Sequence, residues 1–189
     1  RVVCSDDNRE RLDCLVAHVS SIRNVAASAQ LLNGEPSGDA IAKLRGAEVV
    51  VTCFHQLETV KDAVANANTE VVGAYLHPDL STVASIAHVG KKARIGLLAP
   101  SDELHDEMAS TLQKIGVSTK RVHRIDAASP ASLEEAVGDM DVLIAPPLDD
   151  RMTEAVADME VIEFRYAVDD QSSRAIRSTI HEARQQKQE

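Results

Sequence analysis

Short runs of β-branched and aliphatic residues alternate along this chain with segments whose apolar residues recur at helical spacing, the pattern that an α/β protein with parallel strands requires. Val2, Val3 and Cys4 read as a first strand, and Leu12, Leu15, Val16 and Val19 then fall at i, i+3, i+4 and i+7 to make one buried helix stripe. Between residues 20 and 32 the pattern blurs, and Ile22, Val25, Leu31 and Leu32 allow either a longer helix or a weak second strand. Asn33-Gly34 and Pro36-Ser37-Gly38 mark loops, and a short helix over 39–44 ends at Gly46. Residues 47–52 (AEVVVT) read as a central strand buried on both faces, as parallel sheets require. A helix carrying Leu57, Val60 and Val64 follows, then a strand over 71–76, which Pro78 ends before Asp79 caps the next helix. After Gly90-Lys91-Lys92 the alternation restarts. Strands are expected over 93–99, 121–125, 141–145 and 160–164, with helices from Ser101, from Ser129-Pro130, over 150–157 and over 172–182. The spacing thus predicts two α/β lobes, 1–90 and 91–160. Residues 161–189 supply a last strand and a C-terminal helix that either crosses back to the first lobe or closes the second.

Composition narrows the function. Among 189 residues only Phe54, Tyr75, Phe164 and Tyr166 are aromatic, so the core is aliphatic. Thirty acidic against twenty basic residues give a net charge of −10, which repels both the phosphate backbone of nucleic acid and an anionic membrane leaflet. No apolar run approaches the roughly 20 residues of a membrane span. Three cysteines, Cys4, Cys14 and Cys53, are too few for a disulfide framework and suit a reducing, cytoplasmic compartment. No secretory leader is expected, and Arg1 running straight into a strand reads as a domain cut from a longer polypeptide.

In an open parallel sheet, ligands bind beyond the carboxyl ends of the strands. Thr52, Cys53, Phe54 and His55 place a hydroxyl, a thiol, an aromatic face and an imidazole at one such end. Thr52 and His55 read either as ligand contacts or as a helix cap and an exposed first-turn residue. Ser5 to Asn8 offer hydroxyl, carboxylate and amide groups, or an N-cap for the next helix. Ser101 suits a carboxylate or phosphate, or caps its own helix. Arg165 suits a carboxylate, with Glu163 and Asp169-Asp170 as competing ion-pair partners.

Motifs of cofactor and nucleophile chemistry are missing: there is no Gly-x-x-x-x-Gly-Lys-Ser/Thr, no Gly-x-Gly-x-x-Gly after the first strand and no Gly-x-Ser-x-Gly. No cofactor and no metal are expected, since the seven histidines are scattered singly and Cys53 with His55 makes at best half a zinc site. Asp6-Asp7 is similar to the acidic pair of a receiver domain, but Thr52 stands where the phosphate-accepting aspartate belongs. The sharpest enzymatic alternative is an isomerase or racemase in which Cys4 and Cys53 face a substrate from opposite sides; core packing is the competing reading of both thiols.

Three segments, 47–55 (AEVVVTCFH), 70–81 (EVVGAYLHPDLS) and 93–116 (ARIGLLAPSDELHDEMASTLQKIG), together resemble the effector-sensing portion of GntR-type bacterial transcription regulators whose C-terminal half is similar to a solute-binding protein. The resemblance rests on the order and character of segments from the first strand to residue 164. It implies a two-lobe, periplasmic-binding-protein-like architecture, with mainly parallel sheets flanked by helices and a small polar or anionic metabolite held in the cleft. It further implies a non-catalytic sensor that works as a homodimer and meets DNA only through an N-terminal winged-helix module, which this stretch lacks. A solute receptor of a transport system is the third reading. The contacts expected of the sensor are Ser5, Asn8, Thr52, His55, Ser101 and Arg165.

Overall fold

The computed structural model describes residues 1–32, 34 and 36–186. Asn33, expected in a loop, lies outside them. In chain order the elements are β1 (Val2–Asp6), α1 (Arg9–Ser20), β2 (Ala27–Leu31), α2 (Gly38–Arg45), β3 (Val49–Cys53), α3 (Leu57–Val64), β4 (Glu70–Ala74), β5 (Leu76–Pro78), α4 (Leu80–His88) and β6 (Ile95–Leu98). They continue with α5 (Asp102–Lys114), β7 (Val122–Ile125), α6 (Pro130–Val137), β8 (Val142–Ala145), α7 (Asp150–Ala155), β9 (Glu160–Glu163), β10 (Tyr166–Val168) and α8 (Asp170–Gln185). The fold is α/β with mainly parallel sheets flanked by helices. No described helix is long and apolar enough to cross a membrane.

The chain forms two compact units, residues 1–77 with 166–189, and residues 78–165. Their borders fall at 77/78 and 165/166 instead of 90/91 and 160/161. Long-range hydrogen bonds account for the difference. Thr82 Oγ1 donates to Glu163 O at 2.9 Å, and Asp79 N donates to Arg165 O at 2.8 Å, so α4 belongs with β9 in the second unit.

In the first unit four parallel strands lie in the order β2-β1-β3-β4. The blurred stretch before Leu32 resolves into β2, because α1 stops at Ser20 and Asn24 turns the chain with φ 59°. Side chains alternate across each strand and so build two cores. On one face Val2, Cys4, Val49, Val51, Cys53 and Val72 pack against Leu12, Leu15 and Val19 of α1 and Ile176, Ile180 and Ala183 of α8. On the other, Val3 and Val50 pack against Ala40 and Leu44 of α2 and Val60 and Val64 of α3. The destination of the last helix, open in the sequence, is therefore the first sheet. Strand expectation 71–76 splits into β4 and β5, and β5 pairs with β10, a strand too short to show a period in the sequence.

The second unit repeats the plan, with parallel order β7-β6-β8-β9. Leu98, Ile125, Leu143 and Ala145 pack against Leu133 and Val137 of α6 and Val156 after α7. α5 packs on β6, and α4 on β9. Ser129 and Ser132 form a reciprocal capping box around Pro130 at the start of α6, fixing where that helix begins.

Candidate functional site

In each four-stranded sheet the strand order reverses beside the first strand of the unit, and in open parallel sheets such a switch point is the usual place for a ligand. In the first unit the carboxyl ends of β1 and β3 flank it, so Ser5 to Asn8 meet Thr52 to Gln56 there. Ser5 and Thr52 are register partners, both fully buried, and lie on the α2/α3 face by alternation from Val3 and Val50. Neither hydroxyl has a hydrogen-bond partner. Asp6 and Cys53 lie on the opposite, α1/α8 face by the same alternation.

A charged cradle ties these ends together. Asp6 Oδ1 accepts from Asn8 N at 2.9 Å and from Arg11 Nε at 3.0 Å, while Asp6 Oδ2 is buried without a hydrogen-bond partner. Arg11 Nη2 also donates to Asp7 Oδ1 at 2.8 Å. Asp7 reaches across to the other strand end, with Oδ1 3.0 Å from His55 Nε2 and Oδ2 accepting from Gln56 Nε2 at 2.7 Å. Burial alone would raise the Asp7 carboxyl, but its hydrogen bonds with His55 and Arg11 outweigh burial and hold it at about 2. It therefore stays ionised at any physiological pH. Beside His55, the Phe54 ring stacks on Tyr75 with centroids 4.1 Å apart, and it does so by lying over Gly73, where a Cβ would come within 3.0 Å of the ring.

The sequence-expected residues divide as follows. Ser5, Asn8, Thr52 and His55 are brought to the one edge. Asn8 spends its side-chain oxygen on the first turn of α1, accepting from Arg11 N at 2.9 Å. Ser101 and Arg165 belong to the second unit. Ser101 caps α5, accepting from Leu104 N at 3.2 Å, and Arg165 is ion-paired to Glu163 through Nε at 2.6 Å and through Nη2. The cradle residues Asp7, Arg11 and Gln56 were missed as a set. The i,i+4 spacing of Asp7 and Arg11 after a strand was the available signal.

The two-thiol arrangement is overturned. Cys4 and Cys53 lie on adjacent strands and point into the same core, so they cannot face a substrate from opposite sides. Burial also pushes the Cys4 thiol up to about 12, and burial followed by the Asp6 charge raises Cys53 as well, which favours the thiol over the thiolate at both.

Comparison with known proteins places a second, coarser frame around this geometry. Residues 96–187, just under half of the chain, match the family model described as the YmtS Rossmann-like domain. No curated protein matches the sequence. Zn(II)-bound AdcA from Streptococcus pneumoniae is similar in structure over 99% of this chain and 57% of its own, at 13% identity and a TM-score of 0.44. The chain thus spans little more than half the length of that protein. A transcription regulator like protein from Staphylococcus haemolyticus is similar over 83% of this chain and 72% of its own, at 10% identity and a TM-score of 0.44. Glutamate racemase from Aquifex pyrophilus is similar over 96% and 82%, at 17% identity and a TM-score of 0.41.

Proposed function

We propose that this chain is the effector-binding domain of a bacterial transcription regulator of GntR type, non-catalytic, and that it recognises a small polar metabolite at the carboxyl edge of β1 and β3. The observation that carries the reading is the pair of buried, unpartnered hydroxyls at that switch point, Ser5 Oγ and Thr52 Oγ1, register partners on one face of the sheet. A folded protein bears the cost of such groups, about 1–3 kcal/mol each, where a ligand or water satisfies them. Two carboxylates against one guanidinium make the edge net negative, which favours hydroxyl and amine groups over the anionic ligand also considered from the sequence. The preference for thiol over thiolate at Cys4 and Cys53 supports a binding role over thiolate catalysis. In this reading DNA contact, which the net charge of −10 disfavours for this stretch itself, belongs to a separate winged-helix module, and the regulator works as a homodimer. The test is a thermal-shift screen of polyols, amino sugars and amines with a chelator present. A hit at a hundred times its dissociation constant stabilises by about 2.7 kcal/mol. His55→Ala and Thr52→Val should remove the shift, and a hit that both variants keep would move the ligand elsewhere.

A further inference from the structure

We propose that Asp6, Cys53 and His55 form a binding site for a divalent transition-metal ion, zinc or a close chemical equivalent. One donor atom from each of the three lies within 4.8 Å of the others. The donors are an oxygen, a sulfur and an imidazole nitrogen, a set suited to zinc and its first-row neighbours and foreign to calcium or magnesium, which take oxygen alone. Cys53 and His55, half a site by spacing, gain the third donor from the adjacent strand because the register sets β1 beside β3.

An independent observation points to the same occupant. Asp6 is fully buried, its Oδ1 is engaged by Asn8 and Arg11, and its Oδ2 has no hydrogen-bond partner. A cation among the three donors would satisfy that oxygen, and a polar group left buried without a partner is costly. Charge favours it too. Asp6 and Asp7 against Arg11 leave one net negative charge, and a divalent ion that binds Cys53 as thiolate, its proton released to solvent, brings the corner to neutrality. The Asp7 carboxylate on one His55 ring nitrogen is the kind of outer partner that fixes an imidazole's tautomer and orientation for a metal. With three protein donors, a tetrahedral ion keeps its fourth position for water or another ligand.

The inference goes beyond the sensor reading and does not depend on it. Its test is titration of the purified chain with cobalt(II), followed by absorption. The expected result is a near-ultraviolet thiolate-to-cobalt band, with visible bands of tetrahedral cobalt, saturating at one ion per chain and bleached by added zinc. Cys53→Ser should abolish the thiolate band. His55→Ala, at a side chain 45% exposed and so compatible with folding, should weaken binding roughly tenfold or more while the circular dichroism spectrum is unchanged. Absence of binding, binding without the thiolate band, or titrations equal in wild type and both variants would overturn the site. The metabolite screen, run with chelator, can succeed or fail whatever the cobalt result.

Discussion

Replacing Thr52 by Val should stabilise the ligand-free protein while abolishing its response to effector. Thr52 is fully buried in β3, and its hydroxyl has no partner. Valine keeps the β-branched shape that strands favour and deletes only the hydroxyl. A buried, unsatisfied hydroxyl costs about 1–3 kcal/mol, and imperfect filling by the added methyl returns part of that, so the net gain should be about 1 kcal/mol. For a chain of this length that is about 2–4 °C in Tm. Urea denaturation checks it: the midpoint should rise with the slope unchanged, since the surface exposed on unfolding is the same. An unchanged or lowered midpoint would mean that the hydroxyl is already bonded in the folded protein, and the case that it is held for a ligand would collapse.

Other outcomes follow from the same geometry. Ile176→Ala, at a fully buried position of α8 on the first sheet, should cost about 2–5 kcal/mol in urea denaturation; a loss under about 1 kcal/mol would detach that helix from the sheet's core. Burial, then the Arg177 charge, holds the His18 imidazole below its ordinary 6.5. The folded state therefore resists protonation. The stability this provides is complete above 6.5 and is lost as pH falls toward the lowered folded value, so wild type should lose more stability than His18→Gln between about pH 7 and pH 5. Gly73→Ala should push the Phe54 ring off Tyr75, visible as loss of the ring-current shift on the Tyr75 ring protons; an unchanged shift would show that the stack is not held by the glycine.

The strands with unbroken apolar runs were legible from the sequence because burial on both faces leaves no other composition open to them: residues 49–51 and 142–145 are the clearest. Helix starts at Asp79, Ser101 and Ser129 were legible because capping is local chemistry. What failed was everything set by distant partners. Gly90-Lys91-Lys92 has the composition of a linker, yet the unit border is fixed by Thr82 holding the backbone of Glu163 and Arg165, a contact with no trace in local spacing. The site divides the same way. Ser5 and Thr52 could be placed at strand ends from the pattern alone. That Asp7 reaches His55 and Gln56, and that Asp6 lies near Cys53 and His55, depends on the β1–β3 register, which no single segment encodes.

Because residues 78–165 are contiguous while the unit around them is assembled from 1–77 and 166–189, the order of synthesis is not the order of completion. As the chain leaves the ribosome, the inner unit has all its strands and can fold before its host is finished. The sheet bearing the candidate site must meanwhile keep one hydrophobic face only partly covered until α8 emerges. Truncations from the carboxyl end should therefore release a nascent chain whose inner unit resists protease and whose outer unit does not.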